Sequence, residues 1–149
     1  MATAATLLAA KRAIGTDHLV AVHRDANCLD AAKLMNERRV GSVVVLDYAG
    51  HPVGMFTERD VLTRIVAAQR EPGKTFVDDV MSEEPIVCRP ETPIDDLRRV
   101  IRERRIRHIP VVDDEHVAIG LVSIGDINAH DTRELHETVT HLEEFITRG

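Results

Sequence analysis

The chain repeats itself at a spacing of 66 residues, and no other feature of the sequence restricts the possible folds as much. Gly41 to Asp60, GSVVVLDYAGHPVGMFTERD, aligns without a gap on Arg107 to Asp126, RHIPVVDDEHVAIGLVSIGD. Val45 falls on Val111, Asp47 on Asp113, Gly54 on Gly120, Thr57 on Ser123 and Asp60 on Asp126. Upstream, Asp30 falls on Asp96, Glu37 on Glu103, and the pair Arg38, Arg39 on Arg104, Arg105. A register that holds through helix-like and strand-like stretches alike requires two copies of one structural unit. Function is therefore to be sought in the polar residues that are copied.

A unit of roughly 60 residues buries only about 60% of its unfolded surface, so the copies are expected to pack on each other. Each reads strand, helix, strand, strand, helix. In the first, Leu19 to Val22 is a strand, and Asp25 or Asn27 caps a helix to about Arg38 whose core side is Leu29, Ala32, Leu34 and Met35. Ser42 to Leu46 is a continuous apolar run, the mark of a strand covered on both faces. A turn over 47–50 leads into a strand from Val53 to Phe56, and Thr57 opens a helix to about Gln69. The second copy reads Ile86 to Cys88, Pro93 to Arg105, His108 to Val112, Val117 to Val122, and a helix from Ser123. A short helix near 6–13 and a longer one near 132–147 form the tails. The expected division is 1–69 for the first unit with the N-terminal helix, 70–78 for a linker, 79–131 for the second unit, and 132–149 for the C-terminal helix.

A net charge of -6, 3% aromatic residues and no Trp argue against a nucleic-acid partner, which needs a basic face or stacking rings. Cys28 and Cys88 fall at non-matching points of the repeat and read as reduced thiols. The first residues place their apolar stretch ahead of Lys11 and Arg12, the reverse of a signal peptide, and no run approaches the ~20 apolar residues of a membrane span. A cytoplasmic location with no membrane partner is expected. His136 and His141 lie five apart, which turns the second imidazole about 140° from the first, so no metal is expected there. With no Gly-rich phosphate loop, nucleophile elbow or paired cysteines, the chain is not expected to be an enzyme.

The apolar strand, the acidic turn, Gly54 before a short strand, and Thr57-Glu58-Arg59-Asp60 recur as Ser123-Ile124-Gly125-Asp126. Together with Arg107-His108-Ile109-Pro110-Val111-Val112-Asp113, this pattern resembles the CBS-domain family over nearly the whole chain, as a stand-alone tandem pair. The resemblance implies an α/β (α+β) architecture of two βαββα repeats packed around a pseudo-twofold axis, with a short N-terminal and a longer C-terminal helix. It implies two clefts for an adenosyl small molecule: AMP, ADP, ATP, S-adenosylmethionine or NAD(H). It also implies a homodimer, and a regulatory role in which occupancy is signalled to a partner protein. By position, one cleft takes Val20, Val40, Gly41, Ser42 and Val43, and the other Ile86, Ile106, Arg107, His108, Ile109 and Pro110.

The doubled Thr57/Asp60 and Ser123/Asp126 carry two compatible readings. A hydroxyl followed three positions later by an acid is a capping box, in which both side chains satisfy amides at a helix start. A carboxylate held there also accepts hydrogen bonds from both ribose hydroxyls, and the helix N-terminus favours a phosphate. Both copies use Asp, where a box built only for stability prefers the longer Glu or Gln. Arg107 and His108 suit phosphate in a way that Gly41 and Ser42 do not, and Arg59, Arg64 and Lys74 are further phosphate candidates. The alternative is a ligand-free structural or adaptor homodimer in which both boxes are only caps. Arg98, Arg102 and Arg105 share one helix face, either solvated or read by an acidic partner. Leu135, Val139, Leu142 and Ile146 form a heptad seam that either folds back on its own unit or meets a second chain.

Overall fold

The computed structural model of the chain describes residues 1–15, 19–83 and 85–148. Its elements are α1 (Ala4–Ala13), β1 (Ala21–His23), α2 (Cys28–Arg38), β2 (Ser42–Leu46), β3 (Pro52–Thr57) and α3, which starts at Glu58–Asp60 and continues as a π-helix over Val61–Val66. A 3-10 turn at Pro72–Lys74 leads to α4 (Val77–Val80), β4 (Ser82–Glu83), α5 (Ile94–Arg104), β5 (His108–Val112), β6 (Ala118–Ser123) and α6 (Ile124–Arg148). The first sheet has the order β1-β2-β3-β4, parallel at β1/β2 and antiparallel elsewhere; the second pairs β5 with β6 antiparallel. This is the tandem βαββα architecture.

The apolar runs form the strands expected of them. Val43 and Val45 on one face of β2 join the first unit's core, and Ile109 and Val111 on β5 join the second's. Val44 and Val112 point the other way and are also buried, as strand alternation requires where the two sheets cover each other. Several copied polar residues prove to be turn chemistry. Asp47 Oδ1 accepts from the amides of Ala49 and His51, and Asp113 Oδ1 accepts from those of Glu115 and Val117 in the same way. Arg39 and Arg105 both end their helices in the left-handed region, at φ 57° and 54°.

The helix ahead of each unit packs into the core of the other. Ala4, Leu7 and Leu8 of α1 are buried with Ile94, Leu97, Ile101, Ile109 and Val122 of the second unit. Val77, Val80 and Met81 are buried with Cys28, Ala31, Met35, Val43 and Phe56 of the first. The backbone ties match as well. Ile94 N–H donates to Ala2 O at 3.1 Å, and Cys28 N–H donates to Thr75 O at 2.9 Å. Ala4, Leu7 and Leu8 thus correspond to Val77, Val80 and Met81 at a spacing of 73, seven more than the rest of the repeat.

Five expectations are corrected. The N-terminal helix, expected with the first unit, packs instead in the core of the second, where Ala4, Leu7 and Leu8 meet Ile94, Leu97 and Ile109. The linker at 70–78 contains the start of α4, a helix too short for its period to show. The strand expected over Ile86 to Cys88 reduces to one parallel bridge, Cys88 to Val111. The helix from Ser123 and the C-terminal helix are one continuous element, α6, with no break at 131/132. On α2 the buried face is Cys28, Ala31 and Met35, while Leu29 is exposed. Both cysteines are free, one in each core, and burial pushes the Cys28 thiol up to about 11 and the Cys88 thiol to about 12.

The repeated glycines seat these exchanged helices. A Cβ at Gly120 would lie 2.6 Å from Leu8 Cδ1, and one at Gly54 would lie 2.4 Å from Met81 Sδ and 2.7 Å from Ser82 O. At Gly120 the obstacle is a flexible side-chain tip; at Gly54 part of it is backbone. Gly54→Ala is expected to cost about 1–3 kcal/mol, and Gly120→Ala distinctly less. For a chain of this length, each kcal/mol appears as a fall of about 2–4 °C in melting temperature. Equal losses at the two positions would contradict this account of the helix exchange.

Candidate ligand-binding site

Both capping boxes are formed. Asp60 Oδ2 accepts from Thr57 N–H at 3.0 Å while Thr57 Oγ1 accepts from Asp60 N–H at 3.2 Å. Ser123 and Asp126 make the same pair at 2.9 and 3.1 Å. The carbonyls of Gly41 and Arg107 accept the next amide of each helix start, from Glu58 and Ile124, at 3.0 and 2.9 Å. Each helix is thereby stitched to the strand entry of its own unit.

The two acids then diverge. Asp60 is only 7% exposed, and its Oδ1 lies 3.8 Å from Nε of Arg64, whose guanidinium also donates to Val80 O and Met81 O. Asp126 instead borders a pocket of about 260 Å³ lined by Lys11, Val20, Arg39, Val40, Gly41, Ser42, His108, Leu121, Ser123 and Asp126. The pocket joins the strand entry of the first unit to the helix start of the second. Its acid meets a lysine from α1: Lys11 Nζ lies 2.7 Å from Asp126 Oδ2 and donates to Leu121 O, also at 2.7 Å. Lysine and acid are largely buried, at 14% and 19% side-chain exposure.

Two further groups define the pocket's chemistry. Ser42 is fully buried, and its Oγ has no hydrogen-bond partner among the described residues. A buried hydroxyl left in that state costs about 1–3 kcal/mol, so it marks a place where a partner is expected. His108 is held below the usual histidine range, first by burial and then by the charges of Lys11 and Arg107. The apolar walls are Val20, Val40 and Leu121.

Of the residues expected at ligand clefts, the pocket gathers Val20, Val40, Gly41, Ser42, His108, Ser123 and Asp126. It does so across the units rather than within one. Val43, Ile109 and Pro110 are buried in the sheets, and Ile106 packs against the second core. Arg59 and Arg107 are exposed, and Ile86 is half-buried. Lys74 is 82% exposed, pairs with Glu71 and does not line the pocket. Arg64 is committed to Asp60 and to backbone carbonyls. The arginine face of α5 is partly spent within the chain, since Arg98 grips Asp131 of α6 through both Nη atoms at 2.5 Å. Lys11, Arg39 and Leu121 are pocket residues that the repeat does not reveal. Lys11 lies outside the aligned stretch, Arg39 reads as half of a copied charged pair, and Leu121 reads as core.

The CBS-domain profile matches residues 11–67 and 77–131. The mitochondrial CBS domain-containing protein CBSX3 of Arabidopsis thaliana is 36% identical over 129 residues, covering 84% of this chain and 62% of that protein. The chain thus spans less than two thirds of that relative's length. A CBS domain protein from Pyrobaculum aerophilum complexed with AMP superimposes with a TM-score of 0.73 at 24% identity, over 84% of this chain and 89% of that one. A CBS domain pair complexed with 5′-methylthioadenosine and S-adenosylmethionine does so with a TM-score of 0.69 at 23% identity, over 78% and 90%. Both show the fold they share with this chain. No helix of the described residues is long and apolar enough to cross a membrane.

The unpartnered Ser42 hydroxyl makes a direct prediction about the unliganded protein. A buried serine with its hydrogen bond made would lose about 1 kcal/mol on truncation. Ser42→Ala is expected to leave stability unchanged or raise it by up to about 1 kcal/mol, read as the urea midpoint at constant slope. A loss above about 1 kcal/mol would mean that the hydroxyl is satisfied within the protein.

Proposed function

The chain belongs to the CBS-domain family, and from that premise we propose that it is a regulatory module that binds an adenosine-bearing ligand between its two units and signals occupancy to a partner protein. One observation carries this reading: the buried, unpartnered Ser42 hydroxyl borders the same pocket as the Asp126 carboxylate. A base edge supplies the partner that Ser42 lacks, and ribose hydroxyls are matched by a carboxylate that accepts only. Val20, Val40 and Leu121 suit the faces of a purine, and Lys11 and Arg39 suit a phosphate. At about 260 Å³ the pocket is at the small end for ligand sites, which favours one nucleoside unit such as AMP over the dinucleotide NAD(H). The acids are unequal on this reading: Asp126 serves the ligand, and Asp60 serves the fold.

Calorimetry with AMP, ATP, NADH and S-adenosylmethionine tests it. Wild type is expected to bind AMP, Asp126→Asn to lose binding tenfold or more, and Asp60→Asn to lose stability first. The adaptor reading has an observation of its own, since both capping boxes are complete without any ligand. It is favoured if wild type binds none of the four.

A homodimer completes the proposal. Leu62 and Val66 on α3 are more than 60% exposed, and the seam of Leu135, Val139, Leu142 and Ile146 on α6 is exposed too, so it does not fold back on its own unit. Heptad spacing fits the same helix from a second copy. Sedimentation is expected to give a dimer at micromolar concentration, and a chain ending at Asp131 is expected to dissociate more readily. A monomer in both cases would remove the dimer.

A further inference from the structure

We propose that Lys11 selects the charge of the ligand, admitting an anionic, phosphate-bearing adenosyl compound and rejecting neutral or sulfonium ones; this rests on the nucleotide reading above. Lys11 sits in the last turn of α1, beyond the part of that helix that packs as Ala4, Leu7 and Leu8. The matching helix α4 ends at Val80, so the turn that carries Lys11 is an addition to the repeat and not a copy. Packing in the second core does not require it, because Leu7 and Leu8 already anchor α1 there.

Its ammonium is held by two acceptors, Asp126 Oδ2 and Leu121 O, at the edge of the pocket. A ribose that takes the Asp126 carboxylate competes with that ammonium. Once displaced, the ammonium keeps the Leu121 carbonyl but loses its counter-charge while still largely buried, a costly state. A phosphate on the same ligand restores an anion within reach of the flexible lysine stem and of Arg39. A neutral nucleoside does not, and S-adenosylmethionine puts a sulfonium on the 5′ carbon, beside where the phosphate of AMP would sit, with its carboxylate several bonds farther out. Discrimination thus comes from the penalty on the wrong ligand as much as from the contact made to the right one.

The test is a set of affinities for AMP, adenosine and S-adenosylmethionine, measured by calorimetry on the full chain at one salt concentration. Wild type is expected to prefer AMP over adenosine by tenfold or more. Lys11→Met and Lys11→Gln are expected to weaken AMP about tenfold while leaving adenosine equal or tighter, because the acid is freed. Lys11→Arg is expected to restore the preference. A structural role alone would weaken AMP and adenosine together, and that outcome, or an unchanged AMP-to-adenosine ratio, overturns the assignment. If wild type binds none of the three, the nucleotide reading fails along with it; if wild type binds them and the ratio ignores Lys11, only the role of Lys11 fails.

Discussion

The structure depends on an exchange: each unit's core is closed by the helix that precedes the other. Leu7 and Leu8 fill the second unit beside Leu97 and Ile109, and Val80 and Met81 fill the first beside Met35 and Phe56. Fully burying one such side chain is worth about 1.5–3 kcal/mol, so each exchanged helix contributes a sizeable part of its host's stability. Neither unit is complete without a segment belonging to its twin. This couples two marginal domains into one cooperative body, and it explains why small residues recur at Gly54 and Gly120, where the exchanged side chains come within van der Waals reach of the strand.

The same exchange builds the pocket. Because α1 lies on the second unit, its last turn reaches the start of α6, and Lys11 arrives beside Asp126. Because the sheets face each other about a pseudo-twofold axis, the strand entry at Val40, Gly41 and Ser42 closes the other side. The copied acids begin from identical caps and end in different electrostatic settings. Asp60 is screened by Arg64 from its own helix, while Asp126 is screened by a lysine from the far end of the chain. A pseudo-symmetric fold thereby gains an asymmetric pocket, because α1 runs for 10 residues where α4 runs for 4.

The repeat, the element types and most boundaries were legible in the sequence, because they rest on local physics. The four-residue apolar runs Val43–Leu46 in β2 and Ile109–Val112 in β5 dictate buried strands, Asn27 caps α2 through its bond to the Asp30 amide, and Asp47 and Asp113 dictate their turns. Ser42, His108, Ser123 and Asp126, which line the pocket, could be picked out in the sequence for a related reason. They sit at strand entries and helix starts, where polar side chains recur in both copies.

What the sequence could not show follows from distance. The 66-residue register stops short of α1 and α4 because their own spacing differs by seven residues, so the exchange between units left no trace in the alignment. The pairing of Lys11 with Asp126, 115 positions later, and the grouping of Val40 with Leu121 are set only when the two sheets come together. Nor does any local pattern distinguish an exposed heptad seam from one folded back on its own unit. The sequence by itself determined the twofold plan and the chemistry held at each helix start. The tertiary structure alone decided which start faces a pocket, which cation pairs with its acid, and which hydroxyl is buried without a partner among the described residues, because burial and charge pairing depend on long-range packing that local pattern does not encode.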